Sequence, residues 1–275
     1  MRKPESVSVY GCILVLTILI VGTMDSYAQG KAVIKRLGIS NGLSNNSVRC
    51  IYQDKKGFIW FATYDGLNRY DGREFRVFRN KIDDSTSLPH NYIYTLQEDA
   101  NQQLWVGTGQ GLAIYDPTMQ RFSRVYYLRG NSTKPQPVNF SLYSIKPDAA
   151  GNMYGGTNGY GLLVRRKGET VCRVIACDIA GKRISDYSVS GIVVGNNTVM
   201  AFVSGQGLYR LDHASGVLQP VNTEVRFANC IYGDESGMIW VGAENGLYQY
   251  SVKENKYLSH FSDKPGELSD NNVTS

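Results

Sequence analysis

Hydrophobic and polar positions along this chain change over every few residues, in short runs closed by glycine. Asp54-Lys55-Lys56-Gly57-Phe58-Ile59-Trp60-Phe61-Ala62-Thr63, followed by Gly66-Leu67-Asn68-Arg69-Tyr70, reads as a tight turn, a strand, a glycine turn and another strand. The pattern recurs at Asp99–Thr108 with Gly111-Leu112-Ala113-Ile114-Tyr115, and at Asp234–Ala243 with Gly246-Leu247-Tyr248-Gln249-Tyr250. Aligned on the turn aspartate, the preceding strand places Ile51, Leu96, Ile145, Ile192 and Ile231 in one aliphatic column. Beside it runs a small column of Cys50, Thr95, Ser144, Gly191 and Cys230. Adjacent columns lie on opposite faces of a strand, so one face is bulky and the other narrow, as sheets converging on an axis require.

The turns carry the same repeat. Asp-x-x-Gly closes the first hairpin at Asp54–Gly57, Asp148–Gly151 and Asp234–Gly237, with Gln102 in the glycine place of the second unit and Gly195-Asn196-Asn197 in the fourth. Aspartate starts such a turn and glycine supplies its left-handed residue. The second turn ends in Gly66, Gly111, Gly161, Gly207 and Gly246, separated by 45, 50, 46 and 39 residues. A period of about 45 residues with four strands per unit is the signature of propeller blades. A large ring recurs in the second strand, at Trp60, Trp105, Tyr154 and Trp240, where it would wedge one blade against the next. In the fourth unit the alignment puts Ala201 in this column, with Phe202 starting on the other face, which predicts a looser contact there.

Fourth strands, richer in charge as outer strands are, read at 74–78, 121–125, 171–174 and 256–260. The expected fold is all-β: a propeller of four-stranded antiparallel blades at about 42–80, 87–128, 138–177, 185–222 and 224–262, with a sixth beginning at 268. Residues 29–41 read as an outer, closing strand without a blade of its own. Seven blades would need about 315 residues, so an incomplete, open seven-bladed propeller is expected.

Ahead of the repeats, Arg2 and Lys3, the apolar run Cys12–Val21 and Ser26-Tyr27-Ala28 make residues 1–28 a secretory signal peptide; the run is too short to span a bilayer. Export permits disulfides, but Cys50, Cys172, Cys177 and Cys230 read as small buried hydrophobes. His90, His213 and His260 are scattered and offer no metal spacing, so no metal or cofactor is expected. The net charge of +5 is spread thinly, which argues against nucleic acid as a partner of this segment.

From Gly42-Leu43-Ser44-Asn45-Asn46-Ser47-Val48 through Asp54, Gly57, Trp60 and Gly66-Leu67-Asn68-Arg69-Tyr70-Asp71-Gly72, the sequence resembles the two-component regulator propeller repeat. Blades two and five match this pattern well; blades three and four match in their glycines and hydrophobic rhythm. The resemblance implies the start of the periplasmic sensor region of a hybrid two-component histidine kinase and response regulator, held in the inner membrane by its parent. It implies further blades, a second propeller, an oligosaccharide ligand and control of polysaccharide-utilisation genes. Homodimerisation stays open.

Catalysis by this segment is not expected. The run Tyr52–Trp60 differs from the sialidase Asp box, having no serine two before the aspartate and one extra residue before the glycine. No nucleophile elbow, metal motif or phosphate loop is present, and no pattern proposes a carboxylate pair. The competing reading is a secreted propeller without a kinase that binds protein or glycan structurally, or hydrolyses a glycan. Positions that vary between blades at the ends of inner strands are the candidates for ligand contact. These are Arg49, Tyr94, Tyr143 and Asn229, in a column whose fourth member is Ser190, with Tyr64 and Tyr160 at second turns. Rings stack on sugar faces, while arginine and amides bond hydroxyl or acidic groups. Arg49 and Tyr94 share a strand face with the aliphatic column and could instead flank the core.

Overall fold

The computed structural model describes residues 34–130, 132–195 and 197–274; the leader read at 1–28 lies outside them. The chain divides into Met1–Arg36 and Leu37–Ser275. Among the described residues no helix is long and apolar enough to cross a membrane.

The second part is a β-propeller arc. The first blade is β1 (Val48–Gln53), β2 (Ile59–Thr63), β3 (Gly66–Tyr70) and β4 (Phe75–Phe78). The second is β5 (Ile93–Glu98), β6 (Leu104–Thr108), β7 (Gly111–Asp116) and β8 (Arg121–Arg124), followed by the short β9 (Tyr126–Leu128) and β10 (Gln136–Pro137). The third is β11 (Leu142–Pro147), β12 (Met153–Thr157), β13 (Leu162–Arg165) and β14 (Val171–Ile179), with β15 (Lys182–Ile184) behind it. The fourth is β16 (Val189–Gly195), β17 (Thr198–Val203), β18 (Gly207–Asp212) and β19 (Val217–Asn222). The fifth is β20 (Cys230–Gly233), β21 (Met238–Ala243), β22 (Gly246–Ser251) and β23 (Lys256–Phe261). Strands pair antiparallel in chain order within each blade, and the first strands β1, β5, β11, β16 and β20 abut one another in turn.

The glycine turns form because they need a backbone that other residues rarely adopt. Gly66 has φ +113, and a Cβ there would lie 2.5 Å from the Phe78 carbonyl oxygen; Gly111, Gly161, Gly207 and Gly246 also have positive φ. In the first hairpin Gly57, Gly151 and Gly237 are left-handed, and Gln102 takes the same conformation at φ 61. Each turn aspartate does more than start its turn. Asp54 Oδ1 accepts the Lys56 and Phe58 amides, while its Oδ2 accepts the Trp60 indole N–H at 2.7 Å. Asp99 holds Trp105 at 3.0 Å, Asp234 holds Trp240 at 2.9 Å, and Asp148 accepts the Tyr154 hydroxyl at 3.1 Å. The motif departs from an Asp box in sequence, yet its carboxylate fastens the ring.

The rings divide the core into inter-blade layers. Trp60 packs with Leu96, Leu104, Val106 and Tyr115 of the second blade, and Trp105 with Leu142, Ile145 and Met153 of the third. Tyr154 packs with Val189, Ile192 and Val199 of the fourth. Trp240, at the end of the arc, is only half-buried and stacks on Phe261 of its own blade. The aliphatic column faces the preceding blade. Leu96, Ile145 and Ile192 are 4%, 2% and 1% exposed, whereas Ile51 of the first blade is 61% exposed.

The fourth blade corrects the alignment. In the other blades the register pairs Tyr52 with Trp60, Gln97 with Trp105, Lys146 with Tyr154 and Tyr232 with Trp240. The equivalent pair in blade four is Val193 with Met200, so Met200, not Ala201, stands in the ring column. Ala201 and Val199 face blade three, while Met200 and Phe202 together face blade five. The cause is a hairpin one residue shorter, closing Gly195 on Thr198 where blade one closes Asp54 on Phe58. A one-residue slip turns every side chain of a strand to the other face.

Two further departures concern the ends and the rim. The closing strand expected at 29–41 is not formed in its described part: residues 34–37 are not in a strand, Ile34 is 93% exposed, and Ile39–Asn41 is a 3-10 turn. The stretch from 268 has no strand up to Thr274, but Val273 N–H donates to Ala243 O at 3.0 Å, so it lies against blade five. At the rim, the fourth strands do not simply end the blades. β14 runs parallel to both β9 and β19, joining blades two, three and four edge to edge.

Two outcomes follow for stability. Trp105→Ala should cost about 3–5 kcal/mol in chemical denaturation, and Ile51→Ala under about 0.5, because one ring fills a layer and the other side chain faces water. Hydrogen bonds from Ser236 and Trp240 hold Asp234 down at about 2. Its folded value is below the unfolded one of about 3.9, so its stabilisation is complete above that value and is lost as pH falls through about 2. Asp234→Asn should therefore be less stable than the parent at neutral pH, with the gap closing over this acid window in a pH series of denaturation midpoints.

Candidate functional site

The variable column sits at a repeated irregularity of the inner strands. Pairing of β1 with β2 skips between Val48 and Cys50, leaving Arg49 as the extra residue of a bulge. The same skip leaves out Tyr94 in β5, Tyr143 in β11 and Ser190 in β16. A bulged residue is released from strict alternation and its side chain is re-aimed. Arg49 and Tyr94 are therefore not bound to the face of the aliphatic column.

Four of the six candidates gather in a row across three blades, joined by Tyr92, which the column reading missed. Tyr64, at the second turn of blade one, stacks on Tyr92 at 4.3 Å and 29°. Tyr92 meets Tyr94 edge-on at 4.6 Å, and Tyr94 meets Tyr143 of blade three at 5.0 Å and 90°. Arg49 is exposed and interacts with Tyr64. A hydrogen bond to Tyr92, helped by the Arg49 charge, lowers the Tyr64 phenol below its ordinary value; burial, together with that bond, raises Tyr92. Burial also raises Tyr143. Further along the column, the Ser190 hydroxyl is buried and has no hydrogen-bond partner among the described residues.

Supports for the row are backbone and turn chemistry. Thr63 Oγ1 donates to Gly66 O at 2.9 Å and accepts the Asp65 amide, which fixes the turn that carries Tyr64; Thr108 and Thr157 repeat the first of these bonds in blades two and three. His90 Nδ1 accepts the Tyr92 amide at 3.0 Å and so orders the segment leading into β5. The residue just before the first strand is Ser47, Ser141 and Ser188 in blades one, three and four, and the aromatic in that place in blade two was the signal that could have found Tyr92.

The other two candidates lie elsewhere. Tyr160 lies flat on Phe140 at 4.0 Å and 6°, near Arg129, whose guanidinium is bonded to Asp186 at 2.6 Å; no ring contact joins it to the row. Asn229 is an anchor: its side-chain N–H groups donate to Asn272 Oδ1 at 3.0 Å and Val273 O at 3.1 Å, holding the segment after 268 on blade five. The more voluminous clefts are at the opposite ends of the strands, beside the first hairpins, and the row itself is an open strip. Such a strip offers ring faces and one cation to a ligand laid across it, and carries no paired acid and base.

In blade one the row's phenol pair can be tested directly. Replacing Tyr92 with Phe removes the bond that favours the Tyr64 phenolate, so the lowest-titrating tyrosine should move up toward the ordinary value of about 10 in an ultraviolet titration.

Residues 42–65 and 87–110 match the family of the two-component regulator propeller. Histidine kinase P4 of Formosa agariphila is 48% identical over 56 residues, which make up 20% of this chain and 4% of that protein. Among solved structures, the chain is similar to the extracellular domain of BT3049 from B. thetaiotaomicron, described as a hybrid two-component system, with TM-score 0.66 and 26% identity over 82% of this chain and 32% of that one. The extracellular domain of BT4673 from the same organism gives TM-score 0.68 at 20% identity over 84% and 33%, a likeness of fold. The chain thus spans about a third of those domains and a small part of the kinase. Its first two blades thus carry segments that match the two-component regulator propeller repeat.

Proposed function

We propose that this chain is the ligand-sensing propeller segment of a hybrid two-component sensor kinase, exported to the periplasm, whose ligand is an oligosaccharide. The observation that carries the proposal is the row Arg49–Tyr64–Tyr92–Tyr94–Tyr143, in which three blades contribute rings to one strip. Ring faces cover the apolar face of a sugar, and the guanidinium and phenol groups bond its hydroxyl or acidic substituents. Nothing in the strip resembles the paired carboxylates of glycoside hydrolysis, so binding is its chemistry. In the parent, remaining blades would cover Ile51 and the half-buried Trp240, which have the residue types of the buried inter-blade layers. The output, in this reading, is a phosphorelay that switches polysaccharide-utilisation genes.

Calorimetry of the full-length extracellular region against a panel of neutral and acidic oligosaccharides tests this. Binding of at least one glycan is expected, weakened at least tenfold by Tyr94→Ala and by Arg49→Ala with circular dichroism unchanged. No heat from any glycan, or binding indifferent to both substitutions, would remove the row from the function.

A further inference from the structure

The first-hairpin ends of the blades form one groove per interface, and the four grooves differ in how well they are filled. Between blades one and two the groove is walled by Phe58, Trp60, Leu104 and Tyr115 and holds about 120 Å³; between two and three it holds about 220 Å³. The grooves on either side of blade four are far larger, about 570 Å³ and 510 Å³, and both are lined by Val194 and Gly195 of its short hairpin. The last of these, between blades four and five, is also the interface whose ring column holds no ring; Phe202, two residues on, is already buried in that layer. Met200 stands where Trp60 stands in blade one, opposite Ile239, the counterpart of Leu104. The hairpin that would supply a turn carboxylate has Gly195 at its closing pair instead.

We infer that the groove between blades four and five is a binding site for a small planar aromatic molecule, which takes the place that a ring of the chain itself occupies at the preceding interfaces. Its volume falls in the range of small-molecule sites, and its floor is apolar: Val193, Met200, Met238 and Ile239. Methionine adapts its shape and makes favourable sulfur–ring contacts. Lys253 and Glu254 are exposed lining residues, so a ring can bear one polar substituent pointing outward. Asp234 is not available to it, since its carboxylate is taken up by Ser236, Met238 and Trp240. This site is independent of the tyrosine row, which lies at the other ends of the strands.

Indole is the probe. Titrated into the intact isotope-labelled protein, it should shift amide resonances of Val193, Met238 and Ile239 in a saturable way and leave those of Tyr94 and Tyr143 unmoved. Met200→Trp should fill the groove from within, abolish these shifts and raise the melting temperature. Met200→Leu keeps the volume and the apolar floor and should bind within about threefold of the parent. The inference is overturned if indole shifts no groove resonance, if its shifts scatter over the surface without saturating, or if folded Met200→Trp binds as well as the parent. Should Met200→Trp fail to fold, Met238→Trp, which brings bulk in from the half-buried wall that blade five supplies, takes its place with the same expected loss.

Discussion

A single carboxylate in each of four blades joins two otherwise separate structural tasks. One oxygen accepts the amides that close the first hairpin; the other accepts the polar hydrogen of the ring that separates this blade from the next. An indole buried between sheets contributes its whole apolar area only if its N–H finds an acceptor, and a charged acceptor makes that bond strong. Turn geometry therefore sets the ring, and the ring sets the packing of sheet on sheet. Blade four lacks both at once. It has no turn aspartate and no ring in that column, where the Met200 thioether, which needs no hydrogen-bond partner, packs with Phe202. An indole or phenol without its aspartate would leave an orphan donor in the layer, and the paired loss avoids that cost.

The same arrangement explains why candidate ligand residues collect at one end. At the hairpin end of blades one to three the side chains are committed to turns and wedges. At the other end the inner strands of blades one to four each carry one surplus residue, and the bulge frees it from packing. A repeat can keep its scaffold invariant and still vary these positions, since a bulged side chain does not enter the inter-blade layer. Arginine, tyrosine, tyrosine and serine occupy them in successive blades with no change in the ladder on either side.

Glycine turns, outer strands and three of the ring wedges were legible in the sequence because each has a local cause: a left-handed backbone, an exposed edge, a large apolar area. The slip in blade four was not. Its first hairpin is one residue shorter and its second turn one residue longer than in blade one, closing Val203 on Gly207 where blade one closes Thr63 on Gly66. The two changes cancel, so alignment on either turn puts Ala201 beneath Trp60. Alternation could not break the tie, because Val199 to Val203 is buried on both faces and reads as one apolar run. Bulges were hidden for a related reason. One surplus residue alters the pairing of two strands, and nothing in the composition of either strand records it.

Stiffness is also unevenly distributed along the arc, and this bears on what a ligand could do. The tyrosine row crosses blades one, two and three, above the layers filled by Trp60 and Trp105. Blades two to four are further joined through β9, β14 and β19 at the rim. Strain applied at the row is therefore not readily absorbed between blades two and three, where both the wedge and the rim pairing resist a change of angle. The interface between blades four and five has neither device: its ring is replaced by methionine, a groove opens beside it, and rim pairing stops at β19. Packed layers transmit displacement, while voids let neighbouring sheets shift with little cost. A ligand pressing on the row would thus act on blades two to four together, and relative motion would concentrate where blade five begins.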